Sequence, residues 1–403
     1  MENNELVFLG LLYNAEEETV LIQNSRTGLQ GAANNFQWAL VRGLDEVLGK
    51  TINIVSSLPV GPYPQYYKKC FMKTICDNRQ EARYIQIGFI NLPVIKQLIR
   101  KRKIYEFFRK KITNHNKIGI ICYSLYDPYV EALYRLKKKY PENINVCMIV
   151  PDMPGKYGAR PSKAFDRFFF NILGKRLLNI CHSFDWYVLL TEQMKYPLNI
   201  LDKPYIVIEG ISDSSNIIQS DNTEKNEKII LFTGTLHRKF GIKRLLDAFR
   251  LIEGNEYSLV ICGSGDMEDY IKKIEKEDQR VTYMGYVSKQ KVLELQSNCT
   301  LLVNPRIEEE EFVKYSFPSK TMEYLLSGKP VIMNRLSGVP DEYYKYIIQP
   351  KDDSTVALAD ALKEVCTLPP EDRKRIGDLG REFILKNKTA AIQAKKVLEL
   401  MEK

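Results

Sequence analysis

Histidine is almost missing from this chain of 403 residues, with only His115, His182 and His237. A zinc site built on imidazoles is therefore not expected, and no metal-ligand cluster is visible in the sequence. The eight cysteines are Cys70, Cys76, Cys122, Cys147, Cys181, Cys262, Cys299 and Cys366, and no two have CxxC spacing. Several lie inside apolar runs such as IGIICY and LVICG, so they read as buried free thiols of a reducing compartment. No uncharged apolar run reaches the about 18 residues that a transmembrane helix needs. The N-terminus is acidic around a short apolar run, which predicts a first buried strand rather than a secretory signal. The dinucleotide fingerprint GxGxxG is also missing. Gly263 and Gly265 are followed by Asp266, Met267 and Glu268.

What is present is alternation. Short apolar runs alternate with longer helical patterns through both halves, as in parallel βαβ units. ELVFLGLL, INIVSS, YIQIGFI, IGIICYS, NVCMIV, WYVLLT and YIVIEG read as strands of the first half. KIILFTGTL, YSLVICGSG, VTYMGYV, CTLLVNPR, KPVIMN and YIIQP read as strands of the second. The polar stretch Ser212 to Lys228 separates the two series and reads as a linker. The expected architecture is α/β, with two Rossmann-like domains facing across a cleft. Residues 1–205 form the first, 206–385 the second, and a C-terminal helix at 386–403 packs back on the first. Ligands of such sheets bind beyond the C-terminal ends of the strands.

Charge is uneven. The chain carries 59 Lys+Arg and 50 Asp+Glu, a net charge of +9, and the first half supplies all the excess. LIRKRKIYEFFRKKI (Leu98 to Ile112) and RPSKAFDRFFFNILGKRLLNI (Arg160 to Ile180) mix basic residues with aromatics. Such helices suit the surface of an anionic membrane, or present a solvated basic face over core-facing aromatics. No motif for nucleic acid accompanies the charge.

Four segments fall where chemistry is expected. GTLHRKFG (Gly234 to Gly241) puts Arg238 and Lys239 at a strand–helix crossover, suited to a diphosphate or to a basic surface loop. CGSGD (Cys262 to Asp266) ends the next strand, where glycines admit a ligand or close a turn. GLQGAANNFQWALVRGL (Gly28 to Leu44) offers backbone amides near Gly31 before a helix, as a cradle for an oxyanion or as a structural loop-to-helix turn. MIVPDMPG holds Asp152 between two prolines beyond a buried strand, as a general base, an acceptor-hydroxyl ligand or a turn cap. Asp127 in YSLYDPY has a similar place.

The segment YSFPSKTMEYLLSGKPVIM (Tyr315 to Met333) carries the most information. Pro318 suits a first helical turn and Met322, Leu325 and Leu326 make an apolar stripe. Gly328 sits at a left-handed C-cap, and a buried strand follows. Glu323 stands one step from the stripe, where a carboxylate needs a partner.

In order, GTLHRKFG, CGSGD, YMGYV, NPR and FPSKTMEYLLSGKPVI resemble the nucleotide-sugar domain of retaining glycosyltransferases of family 4, of GT-B fold. The subgroup most similar builds bacterial surface polysaccharides. The resemblance spans most of the chain and is strong in the second half. It implies that Glu323, the second glutamate of the family's E-x7-E pair, holds the donor ribose. It implies that amides near Ser319 and Lys320 meet the diphosphate, with Gly234, Thr235 and Gly263 nearby. The Gly285–Val287 backbone, including Tyr286, would meet the nucleobase, and Gly31 would approach the phosphate from the first domain. Tyr315 stands where the first glutamate is expected, and Glu311, twelve residues before Glu323, is the candidate to replace it. The family's arginine and lysine match Thr235 and Phe240, so Arg238 and Lys239 are neighbours of the expected positions. Pro151 stands at the family's histidine, leaving Asp152 beside it.

The implied activity is transfer of a hexosyl or deoxyhexosyl group from a nucleotide-sugar donor to a glycan or lipid-linked acceptor. No cofactor or metal is expected, no nucleic-acid partner, and a cytoplasmic place at the inner face of the membrane. A sugar-nucleotide epimerase of the same fold and a non-catalytic partner subunit are the alternatives.

Overall fold

The computed structural model describes residues 5–27, 29–77, 84–112, 117–153, 174–212, 228–309 and 311–403. The chain divides into two compact units, Met1–Ile211 with Ala390–Lys403, and Ser212–Thr389. The polar stretch read as a linker lies, at 213–227, outside the described residues, as do Gly28 and most of the basic segment beginning at Arg160.

The first unit is built on β1 (Glu5–Gly10), β2 (Asn53–Ser56), β4 (Ile75–Asp77), β5 (Tyr84–Gln86), β7 (Ile118–Tyr123), β8 (Ile144–Val150), β9 (Trp186–Leu189) and β10 (Tyr205–Val207). They form one sheet of order β10-β9-β8-β7-β1-β2-β5-β4, parallel except for the antiparallel edge strand β4. The run YIQIGFI is not one strand. It breaks at Gly88 into β5 and β6 (Phe89–Ile90), and β6 pairs antiparallel with β3 (Phe71–Met72) in a separate ribbon. A side chain at Gly88 would lie 2.4 Å from the Met72 carbonyl oxygen, so the ribbon crosses too close for any residue but glycine. β1, β7 and β8 are buried on both faces, which is why they read as continuous apolar runs.

Helix Ala390–Met401 packs on helix Gly31–Leu48 and closes this core with Ala394, Val397 and Leu398. Gly43 makes the approach possible, since a Cβ there would meet the Ala390 carbonyl oxygen at 2.2 Å. The C-terminal segment is thus two helices, Pro370–Asn387 and Ala390–Met401. In helix Ile95–Ile112 the buried face is Lys96, Arg100, Ile104, Phe108 and Ile112, at steps of four. Both buried cations reach backbone carbonyls: Lys96 donates to Val60 at 3.0 Å and Arg100 to Leu58. Arg100 also lies 3.7 Å from the ring centre of Phe89.

The second unit carries β11 (Lys228–Thr233), β12 (Tyr257–Cys262), β13 (Val281–Gly285), β14 (Leu301–Asn304) and β15 (Val331–Met333), all parallel, in order β13-β12-β11-β14-β15. The order reverses between β11 and β14, so the loops after these two strands border the crevice where such sheets take ligands. YIIQP, expected as a strand, makes only one bridge, Ile332 with Ile348. Six of the eight cysteines are buried, Cys70 is half-buried and Cys76 on β4 is exposed. Among the described residues no helix is long and apolar enough to cross a membrane.

Candidate functional site

Helix Lys320–Leu326 brings the site together in the second unit. Its start at Lys320 leaves Pro318 outside, where the Pro318 carbonyl accepts from the Thr321 amide at 2.8 Å. Met322, Leu325 and Leu326 are buried as their spacing predicts, each contributing about 1.5–3 kcal/mol of burial. Gly328 turns left-handed at φ +73° and Arg381 donates to the Leu326 and Ser327 carbonyls, capping the helix end. Tyr324 fixes the helix to the end of β11. Its buried hydroxyl accepts from the Thr233 amide and donates to the Thr233 carbonyl, both at 2.8 Å. Burial pushes that phenol well above its usual range.

Glu323 is thereby set beside the turn that follows β11. Its Oε1 accepts from Gln296 Nε2 at 2.6 Å, and Lys320 Nζ contacts its two oxygens at 2.7 and 2.9 Å. Gln296, buried on helix Lys289–Asn298, also reaches Thr233 Oγ1 at 3.3 Å. The carboxylate keeps 30% of its side-chain surface open. Two oxygens offer about four acceptor positions, so it retains capacity for a hydroxyl. Ser319 is exposed at the helix start and its side chain caps nothing there.

The turns after β11, β12 and β13 continue the sheet's ladder. Gly234 donates to the Cys262 carbonyl at 3.0 Å, Leu236 to Ser264 at 2.9 Å, and Gly263 to Gly285 at 2.9 Å. The glycines of CGSGD serve this packing. A Cβ on Gly263 would lie 1.8 Å from the Gly234 oxygen, and one on Gly265 2.4 Å from the Leu236 oxygen. Gly234 itself is open, its nearest neighbours being Phe232 at 3.5 Å and Lys320 at 3.9 Å. Thr235 is exposed, Val287 half-buried, and Tyr286 stands 84% exposed beyond β13.

The basic turn is held by an acid that sequence reasoning did not single out. Asp266 pairs with His237 Nδ1 at 2.7 Å and accepts from the Arg238 amide at 3.0 Å. The His237 contact leads the causes that hold its carboxyl below the usual carboxylate range. Arg238 and Lys239 are both exposed. Lys239 lies over Phe312 at 4.8 Å, and Arg306, only 5% exposed after β14, lies over the same ring at 4.8 Å and over Phe240 at 5.0 Å. The Gly241 backbone passes so close to Pro305 that a Cβ would meet its oxygen at 2.3 Å. The loops after β11 and β14 therefore meet at the order reversal. Glu311 is exposed at the start of the turn Glu311–Tyr315, and Tyr315 is 9% exposed. In the neighbouring acidic run, Glu308 accepts from the amide and hydroxyl of Ser337, both at 2.7 Å.

In the first unit, Asp152 follows β8 and is an exposed residue. Burial of its carboxyl pushes it up to about 6, and burial first, with the charge of Asp152 second, raises the phenol of Tyr123 at the end of β7. Gly31 opens helix Gly31–Leu48 with free space where a Cβ would stand. The same helix pins the turn after β1, since Gln37 accepts from the Leu11 amide at 2.8 Å and Asn34 from Tyr13 at 3.0 Å. Asp127 begins helix Asp127–Lys139, and burial raises its carboxyl.

Gln296, Asp266, Arg306, Phe312 and Tyr324 were not singled out from sequence. Asp266, Arg306 and Tyr324 lay inside the motifs CGSGD, NPR and FPSKTMEYLLSGKPVI, whereas Gln296 and Phe312 carried no signal. Among the described residues no three His, Cys, Asp or Glu side chains converge on a metal position.

Residues 213–383 match the sequence model of the family described as Glycosyl transferases group 1. A relative described as an uncharacterized glycosyltransferase of Methanocaldococcus jannaschii is 26% identical over 175 residues, 39% of this chain and 43% of that protein. The match thus spans less than half of either chain. Solved structures match over nearly the whole length. Sucrose-phosphate synthase from Thermosynechococcus elongatus aligns with a TM-score of 0.63 at 15% identity, covering 99% of both chains. Anabaena HepE, solved in complex with UDP and glucose, aligns with a TM-score of 0.60 at 12% identity, again over 99% of both. The second unit is thus matched as a group 1 glycosyl transferase domain, within a chain of GT-B fold.

Proposed function

We propose that this protein is a retaining glycosyltransferase that moves a sugar from a nucleotide-sugar donor to a glycan or lipid-linked glycan acceptor, in the synthesis of a cell-surface polysaccharide. One observation carries the reading: Glu323, held by Gln296 and Lys320, stands beside the open turn at Gly234, where the strand order reverses. A fixed carboxylate next to a backbone turn and a cation suits a ribose and the diphosphate joined to it.

In this reading Glu323 accepts from the ribose hydroxyls. Lys320, Arg238, Lys239 and the amides at Ser319 and Lys320 stabilise the departing diphosphate. The Gly285–Val287 edge takes the base. Glu311 stands in for the missing first glutamate at the sugar. The acceptor hydroxyl attacks the anomeric carbon on the face the diphosphate leaves, and a leaving phosphate oxygen takes its proton. Asp152 orients the acceptor hydroxyl. The reading requires no metal or other cofactor. The basic first unit supports peripheral contact with the inner face of a membrane, where a lipid-linked acceptor would be met.

The test is a thermal-shift screen against a panel of nucleotide sugars, followed by a turnover assay with and without glycan acceptors. Stabilisation by one donor, and free nucleoside diphosphate only when acceptor is present, are expected. An isomerised sugar nucleotide would replace this reading with an epimerase. A Glu323→Ala variant with unchanged donor binding and turnover would overturn it.

A further inference from the structure

Away from that site, the first unit holds a groove of about 700 Å³ between helix Ile95–Ile112 and the β3–β6 ribbon. Its floor is Ile85, Ile87 and Phe89. Phe71 and Met72 wall one side, Ile99 and Phe107 the other. The volume is that of a small-ligand pocket, and the lining is mainly apolar, with Thr74 and the charged side chains of one helix as its polar groups. Its mouth is open, and Phe71 is 73% exposed. An open apolar groove of this kind marks an interaction site.

The edge of the groove is basic. Arg102, Lys103 and Lys110 line it along one helix, with the carboxylate of Glu106 among them. The one acidic residue of that helix, Glu106, is paired with Arg109 at 2.6 Å. Lys103 is steadied by the Gly88 carbonyl at 2.7 Å. An apolar trough with cations along its rim is complementary to an amphiphile whose negative charge adjoins its hydrocarbon chain. A second protein surface would have to offer a carboxylate row beside an apolar ridge.

We propose that this groove seats one hydrocarbon chain of an anionic phospholipid from a membrane leaflet, with Arg102, Lys103 and Lys110 around its phosphate. This deepens the membrane contact proposed above and is independent of the transferase chemistry. A single chain anchors only marginally, and a chain combined with basic residues anchors firmly, so the two contributions are expected to act together.

The full chain is tested against vesicles of phosphatidylglycerol and of phosphatidylcholine, with bromine at mid-chain as a fluorescence quencher. A Phe107→Trp reporter is expected to be quenched in anionic vesicles, while the native Trp38 and Trp186 are not. Phe71→Gln, at an exposed side chain, is expected to keep the fold and weaken vesicle binding at least fivefold. Arg102→Gln with Lys110→Gln is expected to do the same at low salt, and to lose its effect at high salt. Vesicle binding with an unquenched reporter would overturn the chain seat while leaving a purely electrostatic membrane contact. Full binding by Phe71→Gln would overturn it even if the reporter variant fails to fold. Self-association that Phe71→Gln abolishes would assign the groove to a second copy instead.

Discussion

Glu323 and Gln296 are joined by a 2.6 Å hydrogen bond although they sit on different helices, 27 residues apart in the chain. Lys320 holds the same carboxylate from one turn earlier. The Lys320 ion pair alone is worth about 0.5 kcal/mol, so Lys320 does more to fix the carboxylate's direction than to stabilise the fold. Glu323→Ala is expected to weaken nucleotide binding roughly tenfold to a hundredfold, the range for hydrogen bonds to a charged group, with little change in Tm. Gln296→Leu is expected to lose part of that affinity. Calorimetric titration with nucleoside diphosphates checks both, and equal affinity for all three proteins would disprove the assignment.

The two kinds of glycine separate by substitution. Gly263→Ala would place a methyl 1.8 Å from the Gly234 oxygen at a φ of +140°, and is expected to cost on the order of 3 kcal/mol. Gly31→Ala meets nothing within 4 Å in the first turn of a helix and is expected to leave Tm unchanged or higher. If Gly31 approaches the donor phosphate, that variant loses turnover without losing stability. Parallel melting curves and turnover rates distinguish the two.

Asp152 carries a pH dependence whose sign is definite. Its folded carboxyl titrates near 6, above the unfolded value, so its contribution to stability is present below about pH 4 and lost as pH rises through about 6. Asp152→Asn is expected to raise Tm above pH 6 and not at pH 4, by an amount equivalent to about 1 kcal/mol once solvent screening is counted. If the ionised carboxylate orients the acceptor, kcat/KM of the native chain falls below about pH 6 and the variant loses that limb. A pH series of melts and rates reads both effects.

Phe312 lies against two cations, Lys239 and Arg306. Phe312→Leu keeps apolar bulk and removes the aromatic face. It is expected to destabilise the second unit by about 1–2 kcal/mol and to raise the KM for donor as Lys239 loses its platform. A melting curve that does not move, with unchanged KM, would remove any role for the stack.

The elements were legible where the signal is local. A helix at Lys320–Leu326 follows from the spacing of Met322, Leu325 and Leu326 and from Gly328, because a 3.6-residue period and a left-handed cap are properties of a few neighbouring residues. The buried parallel strands were legible as apolar runs. YIQIGFI misled because the break at Gly88 is imposed by a ribbon from residues 71–72, which no local pattern announces. YIIQP misled because an apolar run reads alike whether or not a strand lies beside it.

By itself, then, the sequence determined the α/β class, the succession of strands and helices, and the place of Glu323 on a helix before a buried strand. The tertiary structure alone decided that Gln296 and Tyr324 tie this helix to the end of β11, that Asp266 holds the basic turn, and that Arg306 and Lys239 share the ring of Phe312. The reason is physical. Helix periodicity and capping are settled within a turn or two of chain. These contacts join loops and helices brought together only when the order β13-β12-β11-β14-β15 sets distant strands side by side.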